Sequence, residues 1–117
     1  MMIVPLQADA SQILNVTLNG QQCAISIYQK FYGLFLDISL NGSLILSGQI
    51  CLNMNLIVRS AYLGFIGDLA FIDTQGTSDP IYAGLGTRFQ LVYLFPVDVA
   101  TSQAAWLTYV QSFAPAI

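Results

Sequence analysis

Apolar and polar residues alternate with a period of two through most of the first half of this chain, and the alternation turns twice at the same tripeptide, Leu-Asn-Gly. Leu14, Val16 and Leu18 share one face, with Asn15, Thr17 and Asn19 on the other. That period belongs to a strand with one buried side. Asn19-Gly20 follows, a dipeptide that tolerates two consecutive positive φ values and so favours the tightest hairpin turn. Cys23, Ile25 and Ile27 continue the buried face on the returning strand. About 22 residues later Leu34, Leu36, Ile38 and Leu40 line another face, and Asn41-Gly42 turns the chain into 43–49. Two copies are too few for a solenoid, so the repeat reads as two uses of one good turn.

The second half is less regular. Ile50 to Val58 reads as a further strand. Ala61 to Ile72 mixes large apolar groups with Gly64 and Gly67, and glycines inside a strand pattern point to a bulge or a close backbone approach. Residues 73–87 hold Gly76, Ser78, Asp79, Pro80, Gly84 and Gly86, the content of a long loop. A last strand follows over 88–95, where Phe89, Leu91 and Tyr93 oppose Gln90, Val92 and Leu94. Both faces are largely apolar, which predicts burial on both sides. Beyond Pro96 the pattern changes: Thr101 to Phe113 reads either as a short helix capped by Thr101 or Ser102 or as an extended arm. The fold class expected is all-β, a small antiparallel sandwich or barrel-like domain over 1–95, with 96–117 as a C-terminal arm or short helix that makes contacts. At 117 residues a single core is sufficient without disulfide or metal support.

Composition then bears on what such a domain does. Hydrophobic residues make up 56% of the chain and charged residues 8%, against roughly 25% charged in an average soluble domain. Three bases, Lys30, Arg59 and Arg88, and six aspartates must keep the surface wet. A solitary monomer ordinarily carries more charge than this, so part of the surface is expected to be covered by other chains. The net charge of −3 and the scattered bases exclude a phosphate-tracking, nucleic-acid-binding surface. No run approaches the roughly 20 apolar residues of a spanning helix, since Met54 to Ile66 is broken by Arg59, Ser60 and two glycines, so no membrane insertion is expected. Met1 to Leu6 has no basic region of the kind that opens a secretory signal.

Chemistry is scarce. Histidine and glutamate are absent, which leaves Asp, Cys, Tyr and Lys for acid–base or nucleophilic work. Asp68 and Asp73 fall on opposite sides of an ideal strand and make no evident carboxylate pair. Asp73, Asp79, Thr74 and Thr77 offer oxygens, but their spacing matches no calcium loop, and bonds from side chain to backbone that hold the loop are the expected role. Gly84-Leu85-Gly86 precedes a strand, whereas phosphate loops open a helix. Cys23 and Cys51 stand without a second pair or any histidine, so the expectation is two buried thiols, with a bridge open only if their strands are neighbours. No enzyme, cofactor or metal is expected.

Three stretches carry a family likeness: Met2-Ile3-Val4-Pro5-Leu6; Gln12 to Gly20, reading Gln-Ile-Leu-Asn-Val-Thr-Leu-Asn-Gly; and, most specific, Tyr62 to Gly76, reading Tyr-Leu-Gly-Phe-Ile-Gly-Asp-Leu-Ala-Phe-Ile-Asp-Thr-Gln-Gly, followed by Ser78-Asp79-Pro80 and Gly84-Leu85-Gly86-Thr87-Arg88-Phe89. The pattern resembles the small baseplate plug proteins of contractile-tailed bacteriophages, typified by the cyanophage baseplate plug, over roughly residues 2–95. The resemblance implies an all-β virion subunit at the distal end of the tail, near hub and spike, without catalytic residues. Its implied partners are other tail proteins (hub, spike, tube or wedge subunits) and copies of itself. Contact candidates are Tyr62, Phe65, Phe71, Trp106 and Tyr109; Phe71 reads more as interior than as interface. The alternative is a ligand-binding β-module, such as a carbohydrate-recognition domain, which predicts a soluble monomer that stacks sugar on exposed aromatic rings.

Overall fold

A computed structural model describes residues 2–59 and 64–96. Among the described residues seven strands form in chain order: β1 (Met2–Val4), β2 (Ser11–Leu18), β3 (Gln21–Lys30), β4 (Gly33–Leu40), β5 (Ser43–Ile50), β6 (Asp68–Asp73) and β7 (Phe89–Leu94), with a 3-10 turn at Tyr82–Gly84 before β7. They make two antiparallel sheets, one of four strands in the order β2-β3-β4-β5 and one of three in the order β1-β7-β6. The all-β antiparallel sandwich expected from the alternation is the observed fold. The segment Thr101 to Phe113, where a helix or an arm was expected, lies outside the described residues.

The four-stranded sheet is a meander joined by three two-residue turns. Leu18 pairs with Gln21 and Leu40 with Ser43, so Asn19-Gly20 and Asn41-Gly42 are the turns themselves. All four residues have positive φ: 51° and 77° in the first turn, 51° and 85° in the second. Such turns match the right-handed twist of the flanking strands. Because side chains alternate, these registers put Leu14, Val16 and Leu18, then Cys23, Ile25 and Ile27, then Leu34, Leu36 and Ile38 on one inner face. That face meets Val4, Leu69, Phe71, Phe89, Leu91 and Tyr93 of the smaller sheet in one continuous core.

The smaller sheet is buried on both sides. Every residue of β6 and β7 is buried, and Ala70, Ile72, Val92 and Leu94 form a second cluster on the far face, with Ile3, Met54 and Leu56 packed against it. The expectation of a two-faced apolar strand at 88–95 is met by β7.

One expected element is different. Ile50 ends β5, and 51–59 forms no strand: only Asn53 and Leu56 make isolated bridges, to Phe71 and Ala70. Met54 and Arg59 have φ of 63° and 57°, which no continuous strand accommodates. The segment instead lies along the open edge of β6, with N–H donors of Met54 and Ile57 reaching the carbonyls of Phe71 and Leu69 at 2.8 and 2.9 Å. Its apolar residues are there to seal an edge and a face rather than to alternate.

Gly67 shows the close approach expected of a glycine here. Its φ is +88°, and a side chain at this position would run into the Leu94 carbonyl oxygen and the Tyr93 hydroxyl. Only a residue without Cβ permits both the φ and the contact.

Candidate functional site

The outer face of the four-stranded sheet carries the groups that a core does not explain. Tyr28 on β3 and Phe35 on β4 are cross-strand partners, with ring centroids 6.1 Å apart and planes 15° from parallel. Tyr32 meets Phe35 edge-on at 5.6 Å. The Ile50 side chain reaches the same spot, lying beside Phe35 over the site of Gly33. Lys30 Nζ sits 5.5 Å from the Tyr28 ring centre, a cation–π contact at the rim.

The cluster has a fixed polar anchor. The Tyr28 hydroxyl donates to Asp37 Oδ1 at 2.8 Å, and the Gly48 N–H donates to the same oxygen at 2.7 Å. Gly48, with φ of 67°, lies where the β4–β5 register shifts twice, so Asp37 stabilises a bulge and a ring together. Holding the phenol proton against this carboxylate raises the Tyr28 pKa above its ordinary value.

The β3–β4 turn extends the apolar surface to the end of the sandwich. Lys30 pairs with Gly33, so Phe31 and Tyr32 are the two turn residues, with relative exposures of 103% and 73%. Ile81 and Tyr82, both exposed, belong to the same end, since the Tyr82 N–H donates to Gln29 Oε1 at 3.1 Å. Ile13, on the outer face of β2, is 74% exposed. Phe31 and Tyr32 are open to solvent while Tyr28 and Phe35 behind them are half-buried, and an exposed aromatic tip on a fixed base has the composition of a contact surface.

The aspartates have structural tasks. Asp73, at the end of β6, accepts N–H bonds from Gln75 and Ser78 at 2.9 and 2.8 Å, and pairs with Arg88 through Nε and Nη2, each at 2.8 Å. The Arg88 guanidinium holds the Asp73 carboxyl well below the usual carboxylate range, against the opposing effect of burial. Asp79 accepts the Asn53 N–H at 2.9 Å. These are the loop-holding bonds expected of this segment. Among the described residues no group of three or more Cys or Asp side chains is placed to hold a metal ion. Cys23 and Cys51 are both free and buried; burial pushes the Cys51 thiol up to about 12 and raises Cys23 as well.

Two of the contact candidates are core residues. Phe71 has no exposed surface and Phe65 almost none; Phe65 packs edge-on against Tyr93, with centroids 5.9 Å apart. A ring enclosed by its own sandwich offers no face to a neighbour, so Phe65 and Phe71 stand here as core residues. Tyr62, Trp106 and Tyr109 lie outside the described residues. The sequence reading passed over Phe31 and Tyr32. Their signal was the two-residue gap between the alternating runs at 21–30 and 33–40, filled by bulky aromatics in place of turn-forming residues.

Residues 1–96 match the family model described as the cyanophage baseplate Pam3 plug gp18. The chain belongs to this family. The match spans both sheets and every surface just described, and it assigns a baseplate plug of the phage tail, a structural role in the virion. No curated protein matches the chain. Among the described residues of this plug-family member, no helix is long and apolar enough to cross a membrane.

Proposed function

We propose that this chain is a non-catalytic plug subunit in the baseplate of a contractile tail, put together in the bacterial cytoplasm and acting by association with hub, spike, tube or wedge proteins and with copies of itself. The observation that carries the reading is the exposed Phe31–Tyr32 tip, backed by the half-buried Tyr28–Phe35 pair against which Tyr32 packs. A chain with only nine charged side chains keeps these rings in water unless a neighbour covers them, and aromatic anchors are the groups that dominate protein contacts. In this reading 1–95 is the plug domain and 96–117 a contact segment, with Tyr62, Trp106 and Tyr109 as further anchors.

The test is a phage carrying Phe31→Ser with Tyr32→Ser. Both positions are turn residues outside the core, so the chain folds. The expected result is purified tails in which mass spectrometry finds the subunit lost or strongly reduced. Tails that carry the variant at the wild-type level overturn this surface as the contact. Intact tails after deletion of the gene overturn the plug reading itself.

A further inference from the structure

The two edges of the four-stranded sheet differ. β5 is interrupted: its register against β4 shifts twice, and the Gly48 N–H is taken by the Asp37 carboxylate. Bulges of this kind keep an edge from accepting another strand. β2, at the opposite edge, pairs with β3 without interruption from Ser11 to Leu18 and contains no charged residue, proline or glycine. Within the strand, and among the described residues, it has none of the devices by which edges are protected.

Which of its groups point outward follows from the ladder. The Gln29 N–H donates to the Ala10 carbonyl at 2.8 Å, in the same register that pairs Leu18 with Gln21. Hydrogen-bonded pairs recur every second residue in an antiparallel ladder, so Gln12, Leu14, Val16 and Leu18 bond to β3. Ser11, Ile13, Asn15 and Thr17 therefore direct their N–H and C=O groups away from the sheet, and among the described residues none of these groups has a partner. On the inner face Leu14 and Val16 are only partly buried, whereas Ile25 and Ile27 beside them on β3 are fully buried. Among the described residues the core is incomplete along this edge.

We propose that β2 pairs antiparallel with β2 of a second copy, about a two-fold axis at Leu14, joining two four-stranded sheets into one. This deepens the assembly reading, and rests on it, by naming the surface through which copies meet. The register centred on Leu14 is the one that engages all four outward residues: Ser11 with Thr17 and Ile13 with Asn15, each pair occurring twice by symmetry. A register centred on Asn15 sets Ser11 against the turn residue Asn19. The chosen register sets two hydroxyl side chains opposite each other on the outer face, packs Leu14 on its counterpart beneath, and brings no charge against a like charge. A second copy is the occupant because an uncharged strand offers nothing to select a charged foreign segment, while it complements itself in both hydrogen bonding and side-chain size. The pairing leaves the aromatic outer faces of the two copies on one side of a continuous sheet.

The experiment uses the full chain. Sedimentation equilibrium of the wild type is expected to show a monomer–dimer equilibrium. Asn15→Pro removes an outward N–H that β3 does not use, and is expected to keep the strand circular dichroism while weakening self-association by about 30-fold or more. Leu14→Cys tests the register without disturbing the backbone: opposite Leu14 residues form a non-hydrogen-bonded pair, close enough for a disulfide. Mild oxidation is expected to give a covalent dimer with Leu14→Cys and none with Val16→Cys. A wild type that stays monomeric at the highest attainable concentration, a dimer unaffected by Asn15→Pro, or cross-linking through Val16→Cys instead of Leu14→Cys overturns the proposal. A chain that is monomeric alone yet enters tails overturns this pairing and leaves the plug reading standing, so the two fail separately.

Discussion

Arg88 meets Asp73 with two parallel N–H bonds, Nε to Oδ1 and Nη2 to Oδ2, each 2.8 Å long, across the base of the loop that joins β6 to β7. The carboxylate side chain is fully enclosed, whereas the guanidinium is about one-third open. The pair therefore acts as a clasp whose acidic half is the sensitive one. Asp73→Asn keeps the shape and removes the charge, and is expected to cost ~2–3 kcal/mol, the range of bonds to a charged group with one side in solvent. Urea unfolding of the two chains measures it. Because Asp73 titrates lower in the fold than in the unfolded chain, the unfolded state binds more protons as acid is added. The clasp's contribution is complete above the ordinary aspartate value, near 3.8, and is lost as pH falls below it. Asp73→Asn is expected to flatten this acid limb; an unchanged limb refutes the assignment.

At the other end of β6, Asp68 is buried and accepts four backbone N–H bonds: from Ile57, Val58 and Leu69 at Oδ1, at 3.1, 2.8 and 2.7 Å, and from Arg59 at Oδ2, at 2.8 Å. Among the described residues it is the only side chain hydrogen-bonded to the backbone of 57–59. Asp68→Ala strands the N–H groups of Val58, Arg59 and Leu69, while Ile57 keeps its bond to the Leu69 carbonyl, and is expected to cost ~3–5 kcal/mol. Hydrogen exchange separates the cause from general loosening. Protection is expected to fall first at Val58 and Arg59, with Ile25 and Ile27 of β3 affected only through the global term.

Gly67 carries a third prediction. Gly67→Ala must place a methyl group against the Leu94 carbonyl and the Tyr93 hydroxyl while holding a φ of +88°. Strain and overpacking together predict a loss of ~2–5 kcal/mol. Gly64, with φ of +84° and no atom of the described residues within reach of a side chain there, is the control. Gly64→Ala carries the backbone strain alone and is expected to lose ~1–2 kcal/mol. Equal losses in the two variants exclude the steric contact as the cause.

What was legible in the sequence follows the range over which each feature is determined. The period-two faces of 14–18, 23–27 and 34–40 and the Asn-Gly turns depend on neighbours a few residues apart, and the ladders place them as read. The apolar run after Ile50 also depends on a distant partner, the unpaired edge of β6, and its composition resembles a strand without its dihedrals. The role of Asp68 was invisible for the same reason: three of its four donors lie nine to eleven residues away on an irregular segment. Aromatic content drew attention to Phe65 and Phe71, yet burial separates them from Phe31 and Tyr32, and burial depends on which side of the sheet the second layer packs. Only the three-dimensional fold carries that information.

The thiols supply the opposite limb of the pH profile. Cys51 follows β5 and Cys23 sits on the inner face of β3, both without a disulfide partner. With its pKa pushed up to about 12 by burial, the Cys51 thiol stays neutral in the folded chain where the unfolded chain ionises near pH 9. Above that value the unfolded state has released a proton that the fold retains, so stability falls as pH rises through and beyond 9. Cys51→Ala removes this dependence and also trims the core, so its readout is the slope of stability against pH rather than the stability itself. A thiol-directed disulfide reagent at neutral pH gives the companion measurement. Thiolate is the reacting form, so modification of the folded protein is expected to proceed only at the rate of opening and to accelerate in urea along the unfolding curve. Immediate modification of both cysteines in native buffer overturns their burial.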